Sequence, residues 1–251
     1  MPKLHIIGLL LIVGLILVYA FQGYYPEFIF IFSNATLPFI SGAALAVSLV
    51  TLRKYWRKGS EPFSLVWFGF ACGLFLWFLG ETTWAVYTLI LGIDVPYPSL
   101  ADFFWIMGYI PFFIALLMYV RIFSHALSWR NMLIIMVATL IVTVFVYIAM
   151  LNPIVHLEKD VITSAVDFAY PTLDILLFFM ATLGLMIFWK GKLGRSWLLI
   201  CSATLVNVIA DIIFSCAAAQ GTYYCGHLSD MLFSIAYVLY LMAFYAHYKE
   251  F

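Results

Sequence analysis

Long apolar runs separated by short polar breaks organise this chain from end to end. A helix needs roughly 20 apolar residues to cross about 30 Å of hydrocarbon. Eight segments qualify, near residues 4–21, 28–52, 63–92, 99–122, 131–151, 162–189, 196–219 and 228–248. Taken in pairs they predict four helical hairpins, at about 4–52, 63–122, 131–189 and 196–248, within one transmembrane domain covering 1–251. The expected fold is all-α: a polytopic membrane helix bundle of eight transmembrane helices. Pro26, Pro38, Pro96, Pro98 and Pro153 fall near one set of segment ends, where proline turns a chain without breaking a span.

Charge orients the bundle. Only 10% of residues are charged against 66% hydrophobic, and 11 of the 12 Lys and Arg residues lie at alternate breaks. These are Lys3, the group Arg53, Lys54, Arg57 and Lys58, the pair Arg121 and Arg130, the group Lys190, Lys192 and Arg195, and Lys249; Lys159 alone falls on the other side. Basic residues are retained on the cytoplasmic side. Both termini are therefore expected in the cytoplasm, in a multi-pass protein of the cytoplasmic (inner) membrane. The first segment also has the basic start and apolar run of a secretory signal. Its run is long, and its removal would leave the next span with its basic end on the wrong side.

Six carboxylates interrupt the apolar segments: Glu81, Asp102, Asp167, Asp174, Asp211 and Asp230. No Lys or Arg lies inside a span to pair with them. A charge at the bilayer centre costs roughly 2.5–3.5 kcal/mol on insertion scales, so such groups face a bundle interior or a wet cavity. The topology puts them all in the outer half, with Asp174 deepest. This predicts an outward-facing acidic pocket, joined by the hydroxyls of Thr82, Tyr87, Tyr109, Tyr170, Ser229 and Tyr237, and suited to a metal ion, an amine or protons. Asp102, Asp230 and Asp167 read equally as helix caps. Glu81, Asp174 and Asp211 sit too far from helix starts for that, and read either as pocket lining or as interhelical glue.

The carboxylates also carry a repeat. Glu81 and Asp211 come late in outward runs, and each is followed about 20 residues on by an Asp opening the returning helix, Asp102 or Asp230. Asp102 with Tyr109, Asp230 with Tyr237 and Asp167 with Asp174 are each seven residues apart, two helical turns on one face. Both hairpins run in the same sense, so the internal hairpin repeat is parallel.

Other chemistry is sparse. The five histidines, His5, His125, His156, His227 and His247, form neither HExxH nor a helical pair, so no zinc hydrolase or bis-His haem is expected. His227, near Asp211 and Asp230, is the one candidate metal ligand, and no cofactor is identified. No span carries a Lys for a Schiff base or a nucleophile with an evident His base, so no enzymatic activity is expected. Trp67, Trp77, Trp84 and Trp105 read as an aromatic box for an amine or as interfacial anchors. Cys216 and Cys225 flank the last outer loop, which a disulfide would close. Asn34-Ala35-Thr36 is a glycosylation sequon.

Val95-Pro96-Tyr97-Pro98-Ser99-Leu100-Ala101-Asp102 followed by Gly108-Tyr109, Ala169-Tyr170-Pro171-Thr172-Leu173-Asp174, Ala210-Asp211 and Gly221-Thr222-Tyr223 with Ser229-Asp230 form a set. Together they resemble the multi-spanning N-terminal sensor regions of bacterial and archaeal signalling proteins, over residues 60–248. In that family the region precedes a diguanylate cyclase, a phosphodiesterase or a histidine kinase. The resemblance implies sensing, a cytoplasmic output domain or partner, and a homodimer if signalling is of the two-component type. This chain stops at Phe251, just after the last span, so it is expected to be either an excised membrane part or a free-standing relative. The expected function is a membrane sensory domain that binds a small ligand or cation, with Glu81, Asp174 and Asp211 central and Asp102, Asp167, Asp230, Tyr109, Tyr237 and Trp84 supporting. A cation- or proton-coupled transporter is the alternative. The lipid bilayer is the expected surrounding, and nucleic acid is not expected as a partner.

Overall fold

Each apolar run folds as a helix, because in hydrocarbon a spanning segment must satisfy its own backbone hydrogen bonds. The computed structural model describes residues 2–58, 63–123, 128–148, 160–188 and 194–250. Its helices are α1 (Pro2–Ala20), α2 (Pro26–Lys58), α3 (Phe63–Ala85), α4 (Leu100–Phe123), α5 (Trp129–Val146), α6 (Val161–Phe188), α7 (Arg195–Ala219) and α8 (Leu228–Glu250). A π-helical turn, Val86–Ile90, extends α3. No strand occurs among the described residues. Seven of these helices are long and apolar enough to cross a membrane, and α1 contributes a shorter apolar stretch, Ile6–Ala20. The protein is a multi-pass helical membrane protein.

Helix starts follow local chemistry. Ser128 caps α5 by accepting from the Asn131 N–H at 3.3 Å. Asp160 caps α6, taking the Ile162 and Thr163 N–H groups at 2.9 Å each and the Thr163 hydroxyl at 2.6 Å. The Thr163 bonds hold the exposed Asp160 carboxyl below its ordinary range. Pro26 opens α2, a position where its missing N–H costs nothing. Pro38 departs from expectation: it lies inside α2, as Pro111 and Pro171 lie inside α4 and α6. Neighbouring helices make such interior prolines tolerable in a membrane bundle. Pro153, His125, His156 and Lys159 fall outside the described residues.

Six helices close into a ring. Going round, α2 packs on α3, α3 on α4, α4 on α6, α6 on α7, α7 on α8, and α8 back on α2. The other two are peripheral, α1 against α8 and α5 against α6. Gly8 of α1 meets the Met242 side chain of α8, while Leu15 and Tyr19 join Val238 in a small core. That antiparallel contact brings both chain termini to one end of the ring. In the half nearer the termini, Trp67, Phe70, Phe112, Tyr119, Trp197 and Phe244 pack as one buried aromatic cluster.

The closest helix pair, α3 and α4, meets through glycines. A Cβ on Gly73 would lie 2.9 Å from Phe112 Cβ and 3.0 Å from the Gly108 carbonyl oxygen. Further along, the exchange is reciprocal: the Trp105 ring of α4 lies over Gly80, and the Trp77 ring of α3 lies over Gly108. Gly14 on α1 has nothing within 4 Å of the same virtual atom. Gly73→Ala should therefore destabilise the protein by roughly 1–3 kcal/mol through overpacking, whereas Gly14→Ala should be neutral or stabilise by up to about 1 kcal/mol through helix propensity. Thermal unfolding of the two variants in one detergent tests the contrast, and equal midpoints would contradict the packing described.

Candidate functional site

At the end of the ring away from the termini, the helices part around a cavity of about 610 Å³. Glu81, Asp102, Asp167, Asp211 and Asp230 line it, with no Lys, Arg or His among the described residues of its wall. Aromatic rings supply much of the remaining surface, among them Trp77, Trp84, Trp105 and Phe214. Acidic groups in such a place need donors. Tyrosines provide them.

Each of the six carboxylates accepts a tyrosine hydroxyl. Tyr97 donates to Asp167 at 2.6 Å, Tyr170 to Asp102 at 2.9 Å, Tyr223 to Asp230 at 3.2 Å and Tyr237 to Glu81 at 2.9 Å. The Tyr109 hydroxyl stands between two acceptors, Asp174 Oδ1 at 2.7 Å and Asp211 Oδ2 at 3.0 Å. The Asn207 amide also donates to Asp211 at 2.7 Å. Three of these ties join α6 to α4 or to the segment leading into it; one joins α8 to α3 and one α4 to α7. In the loop before α4, burial and the adjacent Asp167 carboxylate raise the Tyr97 hydroxyl above its ordinary pKa, so it stays protonated and able to donate.

Capping and cavity lining prove compatible. Ser99 Oγ accepts the Ala101 N–H at 3.2 Å, while Asp102 Oδ2 takes the Ser99 N–H and hydroxyl at 2.7 Å each. This is a capping box with Asp in the third position. Asp102 Oδ1 is left to receive Tyr170 in the cavity wall. Asp230 works alike, with Oδ2 on the Gly226 N–H at 2.8 Å and Oδ1 towards Tyr223. Asp167 is not a cap, because Asp160 already fills that role for α6.

Several expectations need correction. Asp174 does not line the cavity; it is fully buried behind Tyr109, and its Oδ2 has no hydrogen-bond partner among the described residues. Trp67 lies in the other half, with Trp197 and His247, so only Trp77, Trp84 and Trp105 border the cavity. Neither Tyr87 nor Thr82 reaches it, the latter donating back to the Phe78 carbonyl at 2.7 Å. His227 accepts the Ser229 N–H on Nδ1 at 3.3 Å and lies outside the cavity wall. Among the described residues no group of three His, Cys, Asp or Glu side chains is placed to hold a metal ion. Cys216 and Cys225 are free thiols. Asn34 is buried inside α2, accepting the Trp84 indole N–H at 3.0 Å, so its sequon is no glycan acceptor.

Tyr97, Tyr223 and Asn207 are the site residues that the sequence reading passed over. Asn207 could have been found, since it lies four residues before Asp211, one turn away on the same helix face. Tyr97 and Tyr223 come from loops, where no periodicity points. No family model, no curated protein and no solved structure matches this chain, so the site is read from its own geometry.

Donor counting predicts unequal effects at the two deep tyrosines. Tyr109→Phe removes the one donor to fully buried Asp174 and should cost roughly 1–3 kcal/mol. Tyr237→Phe should cost less, because Glu81 borders the cavity, where water can replace the lost donor. Adding Asp174→Leu to Tyr109→Phe should restore much of the loss, since both polar partners are then gone. Thermal unfolding of the three variants checks this, and equal losses for the two single changes would contradict it.

Proposed function

We propose that this chain is a membrane sensory domain that binds a small ligand in the cavity and reports its presence at the end carrying both termini. The observation that carries this reading is a one-ended cavity whose polar wall consists of hydrogen bonds between different helices. Tyr109 has one hydroxyl proton and two acceptors, on α6 and α7. A ligand that engages Asp211 leaves that proton to Asp174 and so alters what ties α4 to each neighbour. Occupancy then shifts the population of bundle arrangements, provided the ligand binds them unequally.

The route to the other end runs along α8. Tyr237 ties this helix to Glu81 beside the cavity. Near its far end Tyr55 Oη lies 2.7 Å from His247 Nε2, and Lys54 Nζ donates to the Tyr248 carbonyl at 2.8 Å. A shift of α8 is thereby felt at the basic end of α2. The clustering of Arg and Lys at that end supports a cytoplasmic location for both termini in the inner membrane. There an output domain or partner protein, in a homodimer or otherwise, would receive the signal, as in the signalling-protein sensor regions whose motifs this chain resembles.

An internal duplication also fits the geometry, and reaches beyond the two hairpins. In the ring, α2–α3–α4 and α6–α7–α8 occupy equivalent places. Tyr109 of α4 bonds Asp211 of α7 just as Tyr237 of α8 bonds Glu81 of α3. Pro38 in α2 and Pro171 in α6 each follow a polar residue by four, Asn34 and Asp167. The segment before α4 reaches one of them, Asp167, through Tyr97. Eight spans as two parallel sets of four is the simplest account.

Transport would need a polar route past Trp67, Phe70, Phe112 and Phe244, and the close packing of these rings favours sensing. The coupling is testable with spin labels at Arg57→Cys and Lys249→Cys, in a background lacking the four native cysteines. Asp211→Asn and Tyr109→Phe should each shift the distance distribution relative to the parent. Unchanged distributions in both would remove the sensing proposal, and cation flux into liposomes containing the protein would replace it with transport.

A further inference from the structure

We infer that the ligand of this cavity is an organic ammonium ion with an apolar, preferably aromatic, body; this rests on the ligand-binding reading above and names its chemistry. The cavity is rich in acceptors, and the tyrosine donors of its wall are already committed to them. Among the described residues, five carboxylates line it without a single cationic side chain, and one hydrogen bond behind its wall Asp174 Oδ2 is buried with no donor. A ligand that brings positive charge and N–H donors corrects that imbalance, whereas an anion or a second acceptor worsens it.

Size and wall chemistry narrow the class. About 610 Å³ falls in the range of pockets for small organic molecules. A bare divalent cation would occupy only a fraction of it, and no three-ligand group is present among the described residues to hold one. The indoles of Trp84 and Trp105, their ring centroids 5.7 Å apart, and the Phe214 ring against Trp84 form an aromatic wall. Rings of this kind attract an ammonium group through their faces and cover an apolar body equally well.

The two halves of the ring also give the cavity a polarity. Where α6 carries Asp167 and Asp174, the matching positions of α2 are Asn34 and Ser41. Carboxyl groups are thus concentrated on the α4–α6–α7 side, beside Asp211. The ammonium group belongs there, with the body directed to Trp84. Such a group could be a free amine or the head group of an aminophospholipid, and both present the same chemistry.

The test uses the full chain in nanodiscs of phosphatidylglycerol, with tryptophan fluorescence as readout and phenylethylammonium and its neutral analogue 2-phenylethanol as probes. Saturable quenching by phenylethylammonium is expected, with the alcohol at least tenfold weaker. Asp211→Asn and Glu81→Gln should each weaken the amine at least tenfold and leave the alcohol unchanged. Ser215→Trp, which fills the cavity, should abolish both. If added phosphatidylethanolamine competes with the probe, the head group is the source; if it does not, a free amine is, and either result supports ammonium chemistry. Equal binding of amine and alcohol, insensitive to Asp211→Asn but lost in Ser215→Trp, would overturn the ammonium assignment and leave the cavity a binding site. Binding of neither probe, or binding unaffected by Ser215→Trp, would overturn both.

Discussion

A carboxyl group inside a membrane bundle must be met by a donor, and here the usual donors are missing. Among the described residues, every Lys and Arg of the spanning helices lies toward the end carrying the termini, so the work falls to tyrosine. Burying a polar group unpaired costs several kcal/mol in an apolar medium. The six tyrosine–carboxylate ties therefore behave as constraints more than as ornaments of a pocket. A tyrosine is long and rigid and offers one proton, so each pairing fixes a distance, either between two helices or between a loop and a helix. The sites of the loops and the shape of the cavity depend on which tyrosine reaches which acid.

Such a network stays open at its centre only because the rest of the ring is tightly filled. Glycines let α3 and α4 approach until backbone meets side chain, and two indoles lie in the spaces this creates. One half of the bundle is thus held by dispersion among close-packed rings. The other is held by a small number of directional bonds. The first depends on contact area; the second on direction and distance.

Much of the architecture was legible in the sequence. Spans were found within a few residues because the thickness of hydrocarbon sets their length, and the two-turn spacing of Asp102 and Tyr109 did place them on one face. What hydropathy does not encode is the order of helices around the ring. Without knowing that α4 abuts α6 and α8 returns to α2, nothing says that Tyr97 will meet Asp167 or that Tyr237 will reach Glu81. The same gap misplaced Asp174 at the cavity surface and kept Trp67 with the other indoles, though it is most of a bundle away. Pro38 looked like a chain turn because local rules assign it one, and packing against α3 and α8 overrode them.

The tie between Glu81 and Tyr237 spans 156 residues of chain. During synthesis α3 precedes α8 by all of that length, and the ring cannot close until its last helix arrives. For most of its assembly, then, Glu81 lacks its tyrosine and α2 lacks its neighbour. The nascent bundle is an open arc with an acid at its concave face. Its final helix acts as a keystone whose arrival turns a set of hairpins into a closed vessel.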